Sequence, residues 1–185
     1  YDKGCALARL GRDRQAIEAF ELASSIDPNF ALAYLEKGLA LSRLKKYKDA
    51  IAAFDSALAI NASSAPAYLH KGLALANLKK FGEATAAFDS ALKLDPESYD
   101  AWFAKGCAHS RLTQYEEAVG AFDRALALDK NQYLAYHEKG AALSQLGRYE
   151  DAVSTLSEAI SLDERKPETH YEKGRALFEL GRDEE

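Results

Sequence analysis

The dipeptide Lys-Gly recurs at Lys3-Gly4, Lys37-Gly38, Lys71-Gly72, Lys105-Gly106, Lys139-Gly140 and Lys173-Gly174, each glycine 34 residues after the last. A fixed period of this length means that one supersecondary unit is used repeatedly, each copy burying its apolar face on the next. The chain is thereby constrained to a stack. Its 185 residues, 48% of them hydrophobic, are enough to build a core along such a stack.

With each unit numbered so that glycine is position 8, position 4 carries Tyr34, Tyr68, Trp102, Tyr136 and His170. Position 20 carries Ala16, Ala50, Ala84, Ala118 and Ala152, and position 24 carries Phe20, Phe54, Phe88, Phe122 and Leu156. Position 27 is Ala23, Ala57, Ala91, Ala125 and Ala159. Apolar residues at 4, 8, 11 and 14 predict one helix of about a dozen residues, and those at 20, 24, 27 and 30 predict a second. Gly11, Gly147 and Gly181, at position 15, are placed to end the first helix in a left-handed cap. Asp27, Asn61, Asp95, Asp129 and Asp163 mark the end of the second helix and are expected to cap the first helix of the next unit. Pro28, Pro66, Pro96 and Pro167 are expected between units, where they break no helix.

A glycine inside a helix costs about 1 kcal/mol relative to alanine. The offset expected here is close packing: Gly38 and Ala50 lack bulk where two antiparallel helices cross, while Tyr34 and Phe54 fill the flanking space.

This pattern resembles the tetratricopeptide repeat, whose aromatic-4, Gly-8, Ala-20, aromatic-24, Ala-27 and Pro-32 signature is matched along the whole length. Two departures are lysine in place of the usual leucine at position 7 and a Pro-32 kept only at Pro28 and Pro96. The resemblance implies an all-α, right-handed superhelical solenoid of antiparallel helix pairs, with first helices lining a concave groove. The repeats are expected at 31–64, 65–98, 99–132 and 133–166, with partial repeats at 1–30 and 167–185. A chain that opens and closes inside a unit is expected to be a fragment of a longer array, since an uncapped end leaves an apolar face exposed.

Positions 5, 9 and 12 fall in one narrow stripe of the first helix, the stripe that lines the groove by resemblance. It reads largely apolar: Leu35, Leu39, Leu69, Leu73, Phe103, Cys107 and His137 are the candidate partner-binding residues, with Phe103 as anchor. An amphipathic helix or an extended apolar segment is the complement. Packing against the neighbouring first helix would also make positions 5 and 9 apolar. Arg43, Asn77 and Arg111, at position 13, form a polar rim beside the stripe. Family members that clamp a terminal carboxylate use lysine, asparagine and arginine at positions that here hold leucine, phenylalanine, glutamate or alanine, so that clamp is absent. The position-7 lysines lie about 200° from position 9 and are expected to pack their stems between helices, with their ammonium groups near Asp55, Asp89 or Asp123.

The net charge of −5 and pI near 5.5 give no footprint for nucleic acid. No apolar run is long enough for a membrane span. Cys5 and Cys107 lie three periods apart, on the order of 25–30 Å in a stack, which predicts free thiols and a reducing, cytoplasmic setting. His70, His109, His137 and His170 show no metal-ligand spacing, and no phosphate-binding loop is present, so neither metal, cofactor nor catalysis is expected. The function expected is a scaffold for a protein or peptide partner. The rivals are a self-association or autoinhibition module, in which groove or ends take a second copy or the chain's own helix, and the targeting arm of a larger enzyme.

Overall fold

The computed structural model describes residues 1–181 and contains eleven α-helices and no strand among them. The helices form two compact units, Tyr1–Pro96 and Glu97–Glu185. The first unit holds α1 (Asp2–Arg9), α2 (Asp13–Ile26), α3 (Ala31–Arg43), α4 (Tyr47–Ile60), α5 (Ala65–Asn77) and α6 (Phe81–Leu94). The second holds α7 (Tyr99–Arg111), α8 (Tyr115–Leu128), α9 (Tyr133–Gln145), α10 (Tyr149–Leu162) and α11 (Pro167–Glu179). Within each unit successive helices pair as hairpins, and each hairpin packs on the next, giving a helical solenoid.

The turn inside each hairpin is set by position 15. Gly11, Gly147 and Gly181 adopt φ of 70°, 74° and 66° there, as the sequence predicts. Lys45, Lys79 and Thr113 hold the same left-handed geometry at φ near 60° without being glycine. The turn is kept because it closes hydrogen bonds to orphan carbonyls, such as Lys46 N–H to Leu41 O at 2.9 Å.

The links between hairpins differ from expectation. Asp27, Asn61, Asp129 and Asp163 do not cap the following helix. Their Oδ1 atoms accept from the backbone N–H two residues on, at 2.9–3.1 Å, making local turns. Ser64 and Ser98 cap α5 and α7, their Oγ atoms accepting from Ala67 and Ala101 N–H at 3.3 Å, while α3, α9 and α11 carry no side-chain cap bond. Pro66 and Pro167 lie inside the first turns of α5 and α11, where no N–H is required, so only Pro28 and Pro96 lie between helices.

The repeated glycine serves a different neighbour from the one expected. A Cβ built on Gly38 would lie 2.5 Å from Phe54 Cε1, and Gly4, Gly72 and Gly106 meet Phe20, Phe88 and Phe122 at 2.5–2.6 Å. The glycine seats the ring of the partner helix directly, rather than admitting two backbones with the aromatic beside them. At Gly140 the seat is filled by Leu156. These five side chains are fully buried and form the spine of their hairpins.

Hairpins are joined by the position-7 lysines. Lys71 reaches Asp55 and Lys139 reaches Asp123, both at 2.6 Å, and Lys37 pairs with Glu21 at 2.8 Å. Each bridge runs from a first helix back to the second helix of the preceding hairpin.

Candidate partner-binding face

In the first unit the stripe of positions 5 and 9 is graded in depth. Leu35 is 9% exposed and belongs to a core cluster with Leu41, Phe54 and Ala57, against which half-buried Leu39 also packs. Leu69 is half-buried, and Leu73, one turn further along α5, is 36% exposed. The sequence treats these four leucines alike. The fold sends Leu35 into the core and leaves the α5 pair facing outward.

The rim residues of this unit are engaged within the chain. Arg43 Nε and NH2 both donate to Asp13 Oδ1 at 2.7 Å, tying α3 to the start of α2. Asn77 Nδ2 donates to Leu73 O at 2.9 Å, closing the end of its own helix. Both are exposed at their outer edges.

In the second unit Phe103 is half-buried, stacked on Tyr99 with ring centroids 5.9 Å apart and tilted against Phe122 at 5.8 Å. Burial, reinforced by Asp129 and Asp100, pushes the Tyr99 hydroxyl up to about 12. Cys107 packs beside Phe103 in the same cluster. Burial, then the Glu138 carboxylate, raises its thiol to about 12, while Arg111 opposes the shift. Arg111 itself is exposed at the end of α7.

His137 is held by a polar cluster that the repeat pattern does not announce. Fully buried Thr169 of α11 places its Oγ1 3.0 Å from His137 Nδ1 and 2.8 Å from the Tyr133 hydroxyl. The Tyr133 and His137 rings stack at 6.0 Å, and the Lys166 ammonium lies 5.6 Å from the Tyr133 ring centroid. One signal was available: position 3 is alanine at Ala33, Ala67, Ala101 and Ala135, and threonine at Thr169 alone. The third inner position offers no surface donor, because the hydroxyls of Ser42, Ser110 and Ser144 are enclosed.

Among the described residues no group of three His, Cys, Asp or Glu side chains converges on a metal-sized site, and no helix is long and apolar enough to cross a membrane. Cys5 and Cys107 are free thiols.

Comparison with known proteins agrees with this architecture. Models of the tetratricopeptide repeat match residues 1–66 and 69–133, then 121–154 and 140–181. No curated protein sequence matches the chain. Among solved structures, a crystal structure of MamA superposes with a TM-score of 0.85 at 23% identity, covering 90% of this chain and 98% of that one. MamA 41-end from Desulfovibrio magneticus RS-1 gives 0.84 at 19% identity, covering 89% and 93%. YrrB, described as a tetratricopeptide repeat protein with an unusual peptide-binding site, gives 0.82 at 26% identity, covering 91% and 87%. With ring-on-glycine hairpins recurring every 34 residues and family models matching well over half its length, the chain belongs to the tetratricopeptide repeat family.

Proposed function

We propose that the protein is a non-catalytic interaction scaffold whose first-unit inner face takes the apolar side chains of a partner's peptide or amphipathic helix. Leu39, Leu69 and Leu73 are the contact residues, with Leu35 as their buried backing and Arg43 and Asn77 at the edge. The observation that carries this reading is the exposure of Leu73 beside half-buried Leu69, an apolar pair held at the surface on a helix whose core is already filled by Leu75 and Ala74. YrrB, which resembles this chain along most of its length, is described as having a peptide-binding site. In the second unit Phe103, Cys107 and Arg111 occupy matching positions and serve as further contact surface, while His137 is committed to Thr169.

The test is to select short peptides on the intact chain from a displayed library and titrate them by fluorescence anisotropy. Leu73→Asp should weaken the selected peptides about tenfold or more, the scale of one leucine's burial, with unchanged circular dichroism. Equal affinity in that folded variant rejects the site. Light scattering on the same samples separates the rival: a mass that rises with concentration and falls back in Leu73→Asp means that the face takes another copy.

A further inference from the structure

The turns inside the hairpins of the first unit carry a charge that the matching turns of the second unit lack. Position 16 is Arg12, Lys46 and Lys80 in the first unit and Gln114 and Arg148 in the second. Position 18 is Arg14, Lys48 and Gly82 in the first and Glu116 and Glu150 in the second, and Lys45 and Lys79 add position 15. All of these first-unit lysines and arginines are exposed. The carboxylates on the same edge, Asp13, Asp49 and Glu83, are fewer, and Arg43 already holds Asp13 at 2.7 Å and Lys80 holds Glu83 at 2.9 Å. Arg12, Arg14, Lys45, Lys46, Lys48 and Lys79 have no carboxylate partner among the described residues. In the second unit Arg148 is neutralised by Asp151 at 2.6 Å.

Helix stability accounts for only part of this pattern. Cations just past the C-terminus of a first helix are favourable, but Arg14 and Lys48 are the second residues of α2 and α4, at the positive end of the helix dipole, where an acid is preferred. Glu116 and Glu150 follow that preference in α8 and α10. Lys45 and Lys79 hold φ of 59° and 60°, a geometry that glycine adopts without strain at Gly11 and Gly147. The edge runs along the side of the stack: Lys45, Lys46 and Lys48 are exposed although hairpins pack on both sides of theirs. Between the first and second turns, a hollow of about 410 Å³ lined by Arg12, Asp13, Arg14 and Leu44 gives a chain room to lie.

We propose that this edge binds an acidic, extended segment of a partner protein, whose carboxylates meet the six cations left without partners. Residues 1–96 carry 13 lysines and arginines against 11 acids, and the rest of the chain carries 11 against 18. A lipid sheet or a nucleic acid presents negative charge over a wide area and must accommodate that acidic half as well, whereas a short acidic segment needs only the edge. Tyr47 and Phe81, the rings nearest in sequence, are half-buried, so no exposed platform for stacking bases stands beside these cations. Another copy of the chain is a poorer match, since Asp123, Asp151, Asp163 and Glu172 of its acidic half already pair within it.

The probe is a fluorescein-labelled peptide of about ten glutamates, which spans about 30 Å when extended, titrated into the full chain at physiological salt and followed by anisotropy. Binding is expected, and it should weaken as salt is raised, because exposed pairs are screened. Lys45→Gly combined with Lys79→Gly should weaken it about tenfold, the scale of two exposed ion pairs. Glycine suits the φ of both positions, so circular dichroism and the melting midpoint should show no loss of fold. Arg14→Glu combined with Lys48→Glu, which copies Glu116 and Glu150, should weaken binding further still. Peptides selected on the inner face of α5 should bind both double variants as they bind the wild type, which separates the two sites. Absence of binding, or equal binding by both double variants, overturns the proposal. Stronger binding of single-stranded DNA of the same length, or of vesicles with about a third phosphatidylserine in phosphatidylcholine, overturns it too. So does a mass that rises with concentration in the wild type and not in the variants, which would assign the edge to a second copy.

Discussion

Replacing Gly72 with alanine should destabilise this protein, although the same change in an ordinary helix interior stabilises by about 1 kcal/mol. The new methyl would sit 2.5, 2.7 and 3.0 Å from three atoms of the Phe88 ring, where ordinary contact begins at 3.4 Å. The ring must therefore retreat by about 1 Å, and it is fully buried between α5 and α6. Overpacking of this kind costs about 1–3 kcal/mol, and three simultaneous overlaps place it in the upper part of that range. Subtracting the helix-propensity gain leaves a net loss of about 1–2 kcal/mol. Gly174 supplies the control at the same repeat position: no described residue lies within 4 Å of its added Cβ, so Gly174→Ala should gain up to about 1 kcal/mol. In a chain of this size each kcal/mol moves the melting midpoint by about 2–4 °C, so the two variants should shift in opposite directions by a few degrees. Repeat arrays can unfold in more than one step, so far-UV circular dichroism should be followed together with fluorescence of Trp102, the single tryptophan. A double variant adding Phe88→Ala should turn the Gly72→Ala effect favourable. If Gly72→Ala raises the midpoint as much as Gly174→Ala does, the ring-seat account of the repeated glycine is wrong.

Four further outcomes are expected from the same geometry. Thr113→Gly should raise stability by about 1 kcal/mol in chemical denaturation, since a β-branched residue there holds φ near 60° and loses only a bond from Oγ1 to Leu112 O; the reverse change, Gly147→Thr, should lower it comparably. Cys107 and Tyr99 have folded pKa values raised from 9.0 and 10.0 to about 12, so the folded state retains protons that the unfolded chain releases. Stability from these groups is complete below pH 9 and falls as pH rises toward 12, and Cys107→Ala should blunt that fall in denaturation curves taken across this range. In a Cys5→Ser background, Cys107 should react with a disulfide reagent at about pH 8 at least about a hundredfold more slowly than a free cysteine, and a comparable rate would refute the burial argument. Thr169→Val leaves the shape of α11 but removes the oxygen that His137 and Tyr133 share; a loss of about 1–3 kcal/mol is expected, and a neutral result would show that the cluster adds nothing.

Much of this fold was legible because the information is local and repeated. The 34-residue spacing, the alanines and aromatics at fixed positions, and glycine at position 15 decide where helices run and where they turn, since each depends on angles within a few residues. The lysine bridges to Asp55 and Asp123 could be read from helical angle alone. What the linear pattern left undecided is depth. Leu35 and Leu73 belong to one stripe, yet Leu35 lies in the core with Leu41, Phe54 and Ala67 while Leu73 is at the surface, a difference set by what packs over each side chain. The identity of the atom facing each glycine and the capture of Arg43 by Asp13 and of His137 by Thr169 were likewise settled by contacts between separate helices. A helical repeat prescribes its own turns; only the stacked neighbours determine which of its side chains water can reach.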